Sequence, residues 1–198
     1  MLEFLQNIDE QFFLFLNGLN SPFFDPVMFW ISGKLSWLPL YIFLIFWMIF
    51  RKKTTGLWMV LFTLLLFGAT DSSSVHFFKD VFDRLRPCHN PELEDLVHLV
   101  NGYCGGKFGF ISSHAANTFG MAVFVSLVMK ERWLVIFLII WASVVSYSRI
   151  YLGVHYPFDI LAGAAWGSLL AFGMSKLFGY LHFKWKTRKS QQPEVNAS

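Results

Sequence analysis

Residues 148–159 read SRIYLGVHYPFD and join two long apolar runs, 133–149 and 157–179. A helix that crosses a bilayer needs about 20 residues with few charges, so this stretch predicts a hairpin of two membrane spans. Pro157 suits the first turn of the second helix, because the N–H that proline lacks has no helical partner there. The polar groups of the stretch are therefore expected at one end of two adjacent helices.

Three ionisable residues fall around this turn: Arg149, His155 and Asp159. Asp159 follows His155 at the i+4 position of a helix, so its carboxylate can accept a hydrogen bond from one imidazole nitrogen. The other nitrogen is then free to attack, which is a general way of activating a nucleophile. The alternative interpretation is a capping Asp beside an unrelated His.

Working outward, further apolar runs occur at about 36–50, 57–79 and 113–129. An aromatic stretch at 11–33 is broken by two asparagines and two prolines, which indicates an imperfect first span or one or two helices lying in the interface. We therefore predict an all-α, polytopic membrane helical bundle. It has five clear spans and one doubtful N-terminal span or interfacial helix.

The composition supports a membrane protein. Of 198 residues, 55% are hydrophobic and 15% are charged, whereas soluble domains carry about 25% charged residues. The length predicts a single domain over residues 1–183, followed by a basic, disordered cytoplasmic tail at 184–198. A net charge of +3 gives no argument for a nucleic-acid partner.

The sixteen basic residues divide between the two predicted faces of the membrane. Ten lie on one face, which the positive-inside rule assigns to the cytoplasm: Arg51, Lys52, Lys53, Lys130, Arg132, Lys176, Lys184, Lys186, Arg188 and Lys189. Six lie on the opposite face: Lys34, Lys79, Arg84, Arg86, Lys107 and Arg149. The hairpin turn is therefore predicted on the outer side.

A second cationic motif, Lys79-x6-Arg86-Pro87, ends the run at 57–79. At 3.6 residues per turn, the spacing predicts that Lys79 and Arg86 share one helix face, about two turns apart. Pro87 predicts that the helix ends near Arg86. The alternative is snorkelling of long cationic side chains at a span end, with Asp83 as an ion-pair partner for Lys79.

A third motif, Ser112-Ser113-His114, opens the run at 113–129. A helix start presents unpaired N–H groups and the positive end of the helix dipole, which together suit an anion. Simple N-capping by serine and an interfacial histidine are the alternative. Cations, two histidines and a carboxylate gathered on one face favour a phosphate ligand, because ionisable groups near hydrocarbon are costly.

Together these motifs resemble the type 2 phosphatidic acid phosphatase family, whose pattern is Lys-x6-Arg-Pro, Pro-Ser-Gly-His and Ser-Arg-x5-His-x3-Asp. The first and third motifs match in full. In the second, Ile111 stands in place of Pro and Ser113 in place of Gly. Because Gly lets the backbone approach a phosphate closely, Ser113 is expected to narrow the pocket.

The resemblance implies a role for each residue. His155 would be the nucleophile that forms a phosphohistidine, Asp159 would orient it, and His114 would protonate the leaving oxygen. The phosphate would be held by Lys79, Arg86, Ser112, Ser113 and Arg149. No cofactor or metal is implied, and His89 and His98 stand isolated in the loop between spans.

The resemblance also implies a metal-independent phosphatase whose partners are a lipid phosphate and the bilayer. Undecaprenyl diphosphate is the first expected substrate, at a site on the outer, periplasmic face of a bacterial inner membrane. Lipid A and phosphatidylglycerophosphate are the alternatives. A vanadate-dependent oxidase and a non-catalytic lipid-binding or transport protein are further alternatives from other functional classes.

The only two cysteines, Cys88 and Cys104, both fall in the predicted outer loop 87–111. Disulfides persist in oxidising compartments, so this position predicts a disulfide that stabilises the fold by about 3 kcal/mol. Two free thiols are the alternative.

The span that leads to Lys79 also carries a polar cluster: Asp71, Ser72, Ser73, Ser74 and His76. We expect these side chains to hydrogen-bond between helices, although His76 is within reach of the site. Gly163 and Gly167 have the spacing that is typical of close helix packing.

Overall fold

Seven helices account for most of the chain in a computed structural model that describes residues 2–93 and 95–191. They are α1 (Leu2–Asn17), α2 (Phe24–Ser32), α3 (Leu38–Lys52), α4 (Thr54–Ser74), α5 (Ser113–Met129), α6 (Arg132–Tyr151) and α7 (Pro157–Gln191). Helix α4 continues through a π-helical turn, Val75–Lys79, into a last turn at Asp80–Phe82. The predicted all-α fold is confirmed.

Within the described part of the chain, three helical segments are long and apolar enough to cross a membrane: Thr54–Phe82, Arg132–Tyr151 and Pro157–Arg188. Helix α5 is a shorter apolar helix, and α3 spans 15 residues. Large apolar side chains such as Phe46, Leu65 and Ile136 point outward along the bundle, as expected for a surface in contact with lipid. The prediction of a polytopic membrane bundle is therefore confirmed.

Helix α5 occupies the centre of the bundle and packs against α4, α6 and α7. The contact with α7 is close because Gly163 and Gly167 of α7 have no side chain where they meet α5. A Cβ at Gly163 would lie 2.5 Å from the carbonyl oxygen of Ser112, and one at Gly167 would overlap the carbonyl of Ala116. The predicted small-residue packing is confirmed.

The N-terminal stretch forms two short helices. With 16 and 9 residues, α1 and α2 fall short of the length of a span, so the interfacial alternative fits. Helix α1 buries Asp9, Phe13 and Asn17 against the bundle and exposes Phe4 and Phe15. The Asn17 side-chain amide donates to the carbonyls at the end of α6, which anchors α1 beside the hairpin turn.

Two helices end at residues other than those that the sequence predicts. Helix α4 and its extension end at Phe82, because Asp83 takes a left-handed conformation and residues 84–86 pair with 107–109 in a short extended contact. Helix α7 continues to Gln191, so the predicted disorder does not begin at Lys184. No glycine or proline interrupts residues 180–191, and basic side chains near a helix C-terminus favour the helix dipole. Residues 192–198 lie outside the described part of the chain.

Candidate active site

The three motifs meet at one end of the bundle. The extension of α4 and helix α6 end there, and α5 and α7 begin there. The opposite end carries the basic turns, where Arg51 pairs with Glu131 at 3.3 Å. The partition of charge predicted from the sequence is therefore present in the fold.

A cavity of about 360 Å³ opens at this end, and we call it the phosphate chamber. Six of the predicted site residues line it: Lys79, Arg86, Ser113, His114, Arg149 and His155. Residues far apart in the sequence thus face one space.

His155 and Asp159 form the contact that the i+4 spacing predicts. The imidazole Nδ1 lies 3.3 Å from Asp159 Oδ2, and the backbone N–H of Tyr156 donates to the same oxygen at 3.0 Å. Both side chains are buried, at 1% and 0% exposure. Because Nδ1 faces Asp159, the Nε2 atom is the nitrogen available for attack on a ligand in the chamber.

The environment of His155 favours its neutral form. Burial lowers the pKa of the imidazole well below its ordinary value of 6.5, and the nearby cations Arg86, Arg149 and Lys79 lower the pKa further. A neutral imidazole keeps the lone pair that a nucleophile needs. The environment therefore favours the form of His155 that the predicted role of nucleophile requires.

Two residues behind Asp159 are missing from the predicted site. Arg84 donates to Asp159 Oδ1 at 2.9 Å and to Asp9 Oδ2 at 2.8 Å, and its guanidinium lies 4.1 Å from the ring centroid of Tyr156. Asp9 also accepts from the backbone N–H of Phe158 at the start of α7. The position of Arg84 within the first motif is a signal for its role, whereas no sequence pattern points to Asp9.

Backbone carbonyls fix the Arg86 guanidinium. Its Nε donates to Phe108 at 3.2 Å, and Nη1 donates to Cys104 at 3.1 Å. Gly105 lies against the same group with φ +81°, and a Cβ there would lie 2.7 Å from Nη1. The loop that contains Cys104 therefore sets where this positive charge sits.

Arg149 is held from the other side of the chamber. It is 3% exposed, donates to the Ser32 hydroxyl, and lies 5.8 Å from the ring centroid of Tyr103. Its Nε has no hydrogen-bond partner among the described residues. Helix α2 thus contributes to the site through Ser32.

Lys79 is oriented by Ser113, one of the two residues that depart from the family pattern. The Lys79 ammonium donates to Ser113 Oγ at 2.8 Å, and Ser74 Oγ lies 2.6 Å from the same oxygen. Ser113 therefore links α4 to the start of α5.

The prediction that Lys79 and Arg86 share a helix face is wrong, because the helix ends before Arg86. Both side chains nevertheless line the chamber.

Ser112 has a different position from Ser113. Its side chain caps α5 by accepting from the N–H of Ala115 at 3.4 Å, and its own N–H donates to the Asp159 carbonyl at 3.0 Å. The capping interpretation fits this geometry, and a contribution of its hydroxyl to phosphate binding stays a prediction.

His76, which the sequence places within reach of the site, is exposed and pairs with Asp80 at 3.2 Å.

The disulfide is confirmed. Cys88 and Cys104 are joined, with their Cα atoms 5.8 Å apart. Among the described residues, the one grouping with three possible metal-ligand atoms is Cys88, His89 and Cys104. Its two sulfur atoms form the disulfide, so it offers no set of thiolate ligands.

A second cavity of about 240 Å³, which we call the apolar chamber, adjoins the first between α3, α4, α5 and α6. Tyr41, Phe67, Asn117 and Thr118 line both chambers. The rest of its wall is almost entirely apolar and includes Leu44, Met48, Leu64, Met121 and Val125.

Known proteins resemble this chain in sequence, and a solved structure resembles it in fold. The sequence model of the PAP2 superfamily matches residues 56–183. A lipid A 4'-phosphatase of Bacteroides thetaiotaomicron is 44% identical over 171 residues, which cover 84% of this chain and 75% of the relative. A lipid A 4'-phosphatase of Porphyromonas gingivalis is 36% identical over 187 residues, which cover 93% and 78%. The crystal structure of a PAP2-type phosphatidylglycerolphosphate phosphatase from Bacillus subtilis has a TM-score of 0.68 at 28% identity, over 87% of this chain and 85% of that one.

Proposed function

Because this chain belongs to the PAP2 superfamily, we propose that it removes a phosphate group from a lipid A-type glycolipid on the outer face of a bacterial inner membrane. The chain is an integral membrane lipid phosphatase, because it belongs to this family and has apolar helices long enough to cross a membrane. Such enzymes are phosphoric monoester hydrolases.

One observation carries the proposal: a buried imidazole faces a chamber walled by four cationic side chains, Lys34 and the three cations of the motifs. Lys79, Arg86 and Arg149 come from three different segments and line the same cavity as His155. Phosphoryl transfer is catalysed mainly by positioning and by fixed positive charge around the phosphoryl oxygens. The chamber supplies both from the chain's own side chains.

The proposed reaction has two steps. In the first, Nε2 of His155 attacks phosphorus, the bond from phosphorus to the ester oxygen breaks, and His114 gives its proton to that oxygen. In the second, water attacks the phosphohistidine, His114 takes a proton from the water, and phosphate leaves with His155 restored. Asp159 stabilises the imidazolium through Nδ1–H, as the carboxylate of a catalytic triad does.

The order of expected substrates changes from the one drawn from the sequence. Undecaprenyl diphosphate no longer stands first, because the relatives that are 44% and 36% identical to this chain are lipid A 4'-phosphatases. A polyprenyl diphosphate and phosphatidylglycerophosphate remain the alternatives. The last is supported by the structural similarity to the Bacillus subtilis enzyme.

The proposed sidedness rests on the distribution of charge. The end of the bundle opposite the chamber carries Arg51, Lys52, Lys130 and Arg132 on short turns, which favours the cytoplasm for that end. The disulfide lies at the chamber end, and disulfides persist in oxidising compartments.

The proposal is tested by phosphate release from purified lipids in detergent, with EDTA present. We expect turnover of a lipid A carrying a 4'-phosphate, at a higher kcat/KM than for undecaprenyl diphosphate or phosphatidylglycerophosphate. His155→Ala should abolish turnover. His182→Ala, at the opposite end of the bundle beside Thr55, is the matched control and should retain it. Hydrolysis of the polyprenyl diphosphate alone would reject the lipid A assignment, and absence of any hydrolysis would reject the phosphatase.

A further inference from the structure

Asp71 is an ionisable residue within a membrane span that the proposed reaction does not use. It lies on α4 about two turns, or about 12 Å along the helix axis, before Lys79, and it lines the phosphate chamber. Ionisable groups in membrane spans are costly and commonly mark functional sites. A carboxyl group is unfavourable beside the phosphate itself, so its partner is either a neighbouring side chain or another part of the ligand.

A neighbouring side chain accounts for one of the two carboxyl oxygens. Asp71 Oδ1 accepts a hydrogen bond from Asn117 Nδ2 at 3.2 Å. The Thr70 hydroxyl contacts Asn117 Oδ1 and so fixes which way the amide points. Among hydrogen bonds between described residues, this is the one made by the Asp71 carboxylate, and Ser74 Oγ donates to the Asp71 backbone carbonyl. The second carboxylate oxygen is therefore available as an acceptor at the chamber wall.

The pair formed by Asp71 and Asn117 lies where the two chambers meet. Asp71 lines the phosphate chamber, and Asn117 lines both. A lipid with its phosphate at His155 and its chains in the apolar chamber has to pass this pair. The atoms that pass are those between the phosphate and the hydrocarbon.

We propose that Asp71, held by Asn117, accepts a hydrogen bond from a hydroxyl or amide N–H group that lies between the phosphate and the acyl chains of the substrate. The pair thereby selects phosphorylated lipids with a donor-bearing head group, such as an acylated amino sugar. This inference rests on the proposed phosphatase activity.

The same geometry disfavours a polyprenyl phosphate. Its hydrocarbon begins next to the phosphate, so apolar carbon would face Asp71 and leave the carboxyl oxygen without a partner. Leaving a buried polar group unpaired is costly. Sites built to bond a substrate donor reject analogues that lack it far more strongly than apolar pockets reject an extra methylene group.

Asp71→Asn is the discriminating variant. The amide keeps the size of the side chain and an oxygen for Asn117, so the contact between α4 and α5 can persist. The second carboxyl oxygen is replaced by an NH₂ group, which cannot accept a hydrogen bond from a donor on the substrate. Asp80→Asn is the matched control, because Asp80 follows on the same helical segment, is exposed and pairs with His76.

The experiment compares kcat/KM for three phosphates in detergent. Ceramide 1-phosphate carries an amide N–H and a hydroxyl between phosphate and chains, a dialkylglycerol 3-phosphate carries neither, and an aryl phosphate has no chain. We expect Asp71→Asn to lower kcat/KM for ceramide 1-phosphate by about 10- to 100-fold, the range for losing a charged hydrogen bond. For the other two substrates, kcat/KM should change by less than about threefold. Asp80→Asn should leave kcat/KM unchanged for all three substrates.

Two results overturn the inference, and they differ from failure of the proposed function. If Asp71→Asn lowers kcat/KM equally for all three substrates and leaves the melting temperature unchanged, Asp71 does not select the head group. If the wild-type protein shows no preference for ceramide 1-phosphate over the dialkylglycerol phosphate, no donor is read at this position. If the wild-type protein hydrolyses none of the three, the phosphatase proposal fails first.

Discussion

At the scale of single residues, the position of His155, the proposed nucleophile, depends on groups that do not line the chamber. Asp9 and Asp159 are both fully buried carboxylates, and Arg84 pairs with each of them. Arg84 therefore neutralises the carboxylate that orients His155 and ties α1 to the start of α7. We regard Arg84 as a positioning residue for the reaction.

Replacing Arg84 tests this role. Arg84→Gln leaves two buried carboxylates without a cation, and breaking a buried ion pair in this way costs about 3–5 kcal/mol. We expect a lower melting temperature in detergent and a kcat reduced by about tenfold or more. The double variant Asp9→Asn with Arg84→Gln should be more stable than additivity predicts, because one unpaired charge is removed. Additive losses in this cycle would contradict a shared network.

The protonation of His155 gives a pH prediction. Because burial and neighbouring cations lower its pKa below 6.5, the folded protein keeps this imidazole neutral as the pH falls through 6.5. An unfolded chain takes up the proton there, so folded stability should decrease below about pH 6.5. NMR of ¹³C-labelled histidine, assigned with His155→Gln, should show a titration midpoint well below 6.5. A midpoint at or above 6.5 would contradict the neutral nucleophile.

Sequence reasoning at this scale succeeds where a motif has a fixed local geometry. The i+4 spacing of His155 and Asp159 predicts their contact, and the polar cluster on α4 bonds across helices through Asp71, Ser73 and Ser74. It misses Asp9, because that partner comes from α1, and contacts so distant in sequence leave no local pattern.

At the scale of elements, the loop that the disulfide closes acts on the site through Arg86. Cys104 supplies a carbonyl to the Arg86 guanidinium, and the backbone N–H of Cys88 donates to the Gly153 carbonyl in the turn before His155. The disulfide thus joins two segments that each position a site residue. A sequence reading predicts the pairing of the cysteines but not this connection.

Removing the disulfide should affect both stability and phosphate binding. For the double variant Cys88→Ser with Cys104→Ser, we expect a loss of about 3 kcal/mol from the freed loop. We also expect a KM for lipid phosphate raised by about fivefold or more, because the role proposed for Arg86 is a charged hydrogen bond to the phosphate. Melting temperature and steady-state kinetics measure the two effects. Glu92→Gln, exposed in the same loop, is the control.

An unchanged KM in the double variant, with a lowered melting temperature, would show that the loop stabilises the fold without positioning Arg86.

The end of α4 differs from the predicted one because of the same loop. Pro87 and the periodicity allow a helix up to Arg86, but the backbone of 84–86 pairs with 107–109 instead. Pairing between distant segments is a tertiary effect, and local helix signals do not contain it.

At the scale of the whole molecule, four segments present polar ends to one chamber while their apolar flanks build the bundle. Hydrophobic run length predicts the helices and the charge distribution predicts which ends meet. The division of the cavity into a cationic and an apolar chamber is not predictable in this way. It depends on side chains of α3 and α6, such as Leu44 and Trp141, that carry no motif.

The central claim is that phosphate is transferred through His155, and trapping of the covalent intermediate tests it most directly. Purified protein is mixed with ³²P-labelled lipid phosphate, quenched rapidly in base and digested for mass spectrometry. The mechanism predicts one labelled peptide, with phosphate on His155, and no label in His155→Ala. His114→Ala should still be labelled when the leaving group is an aryl alcohol, which departs without a proton. Label on another residue, or label that persists in His155→Ala, would contradict the mechanism.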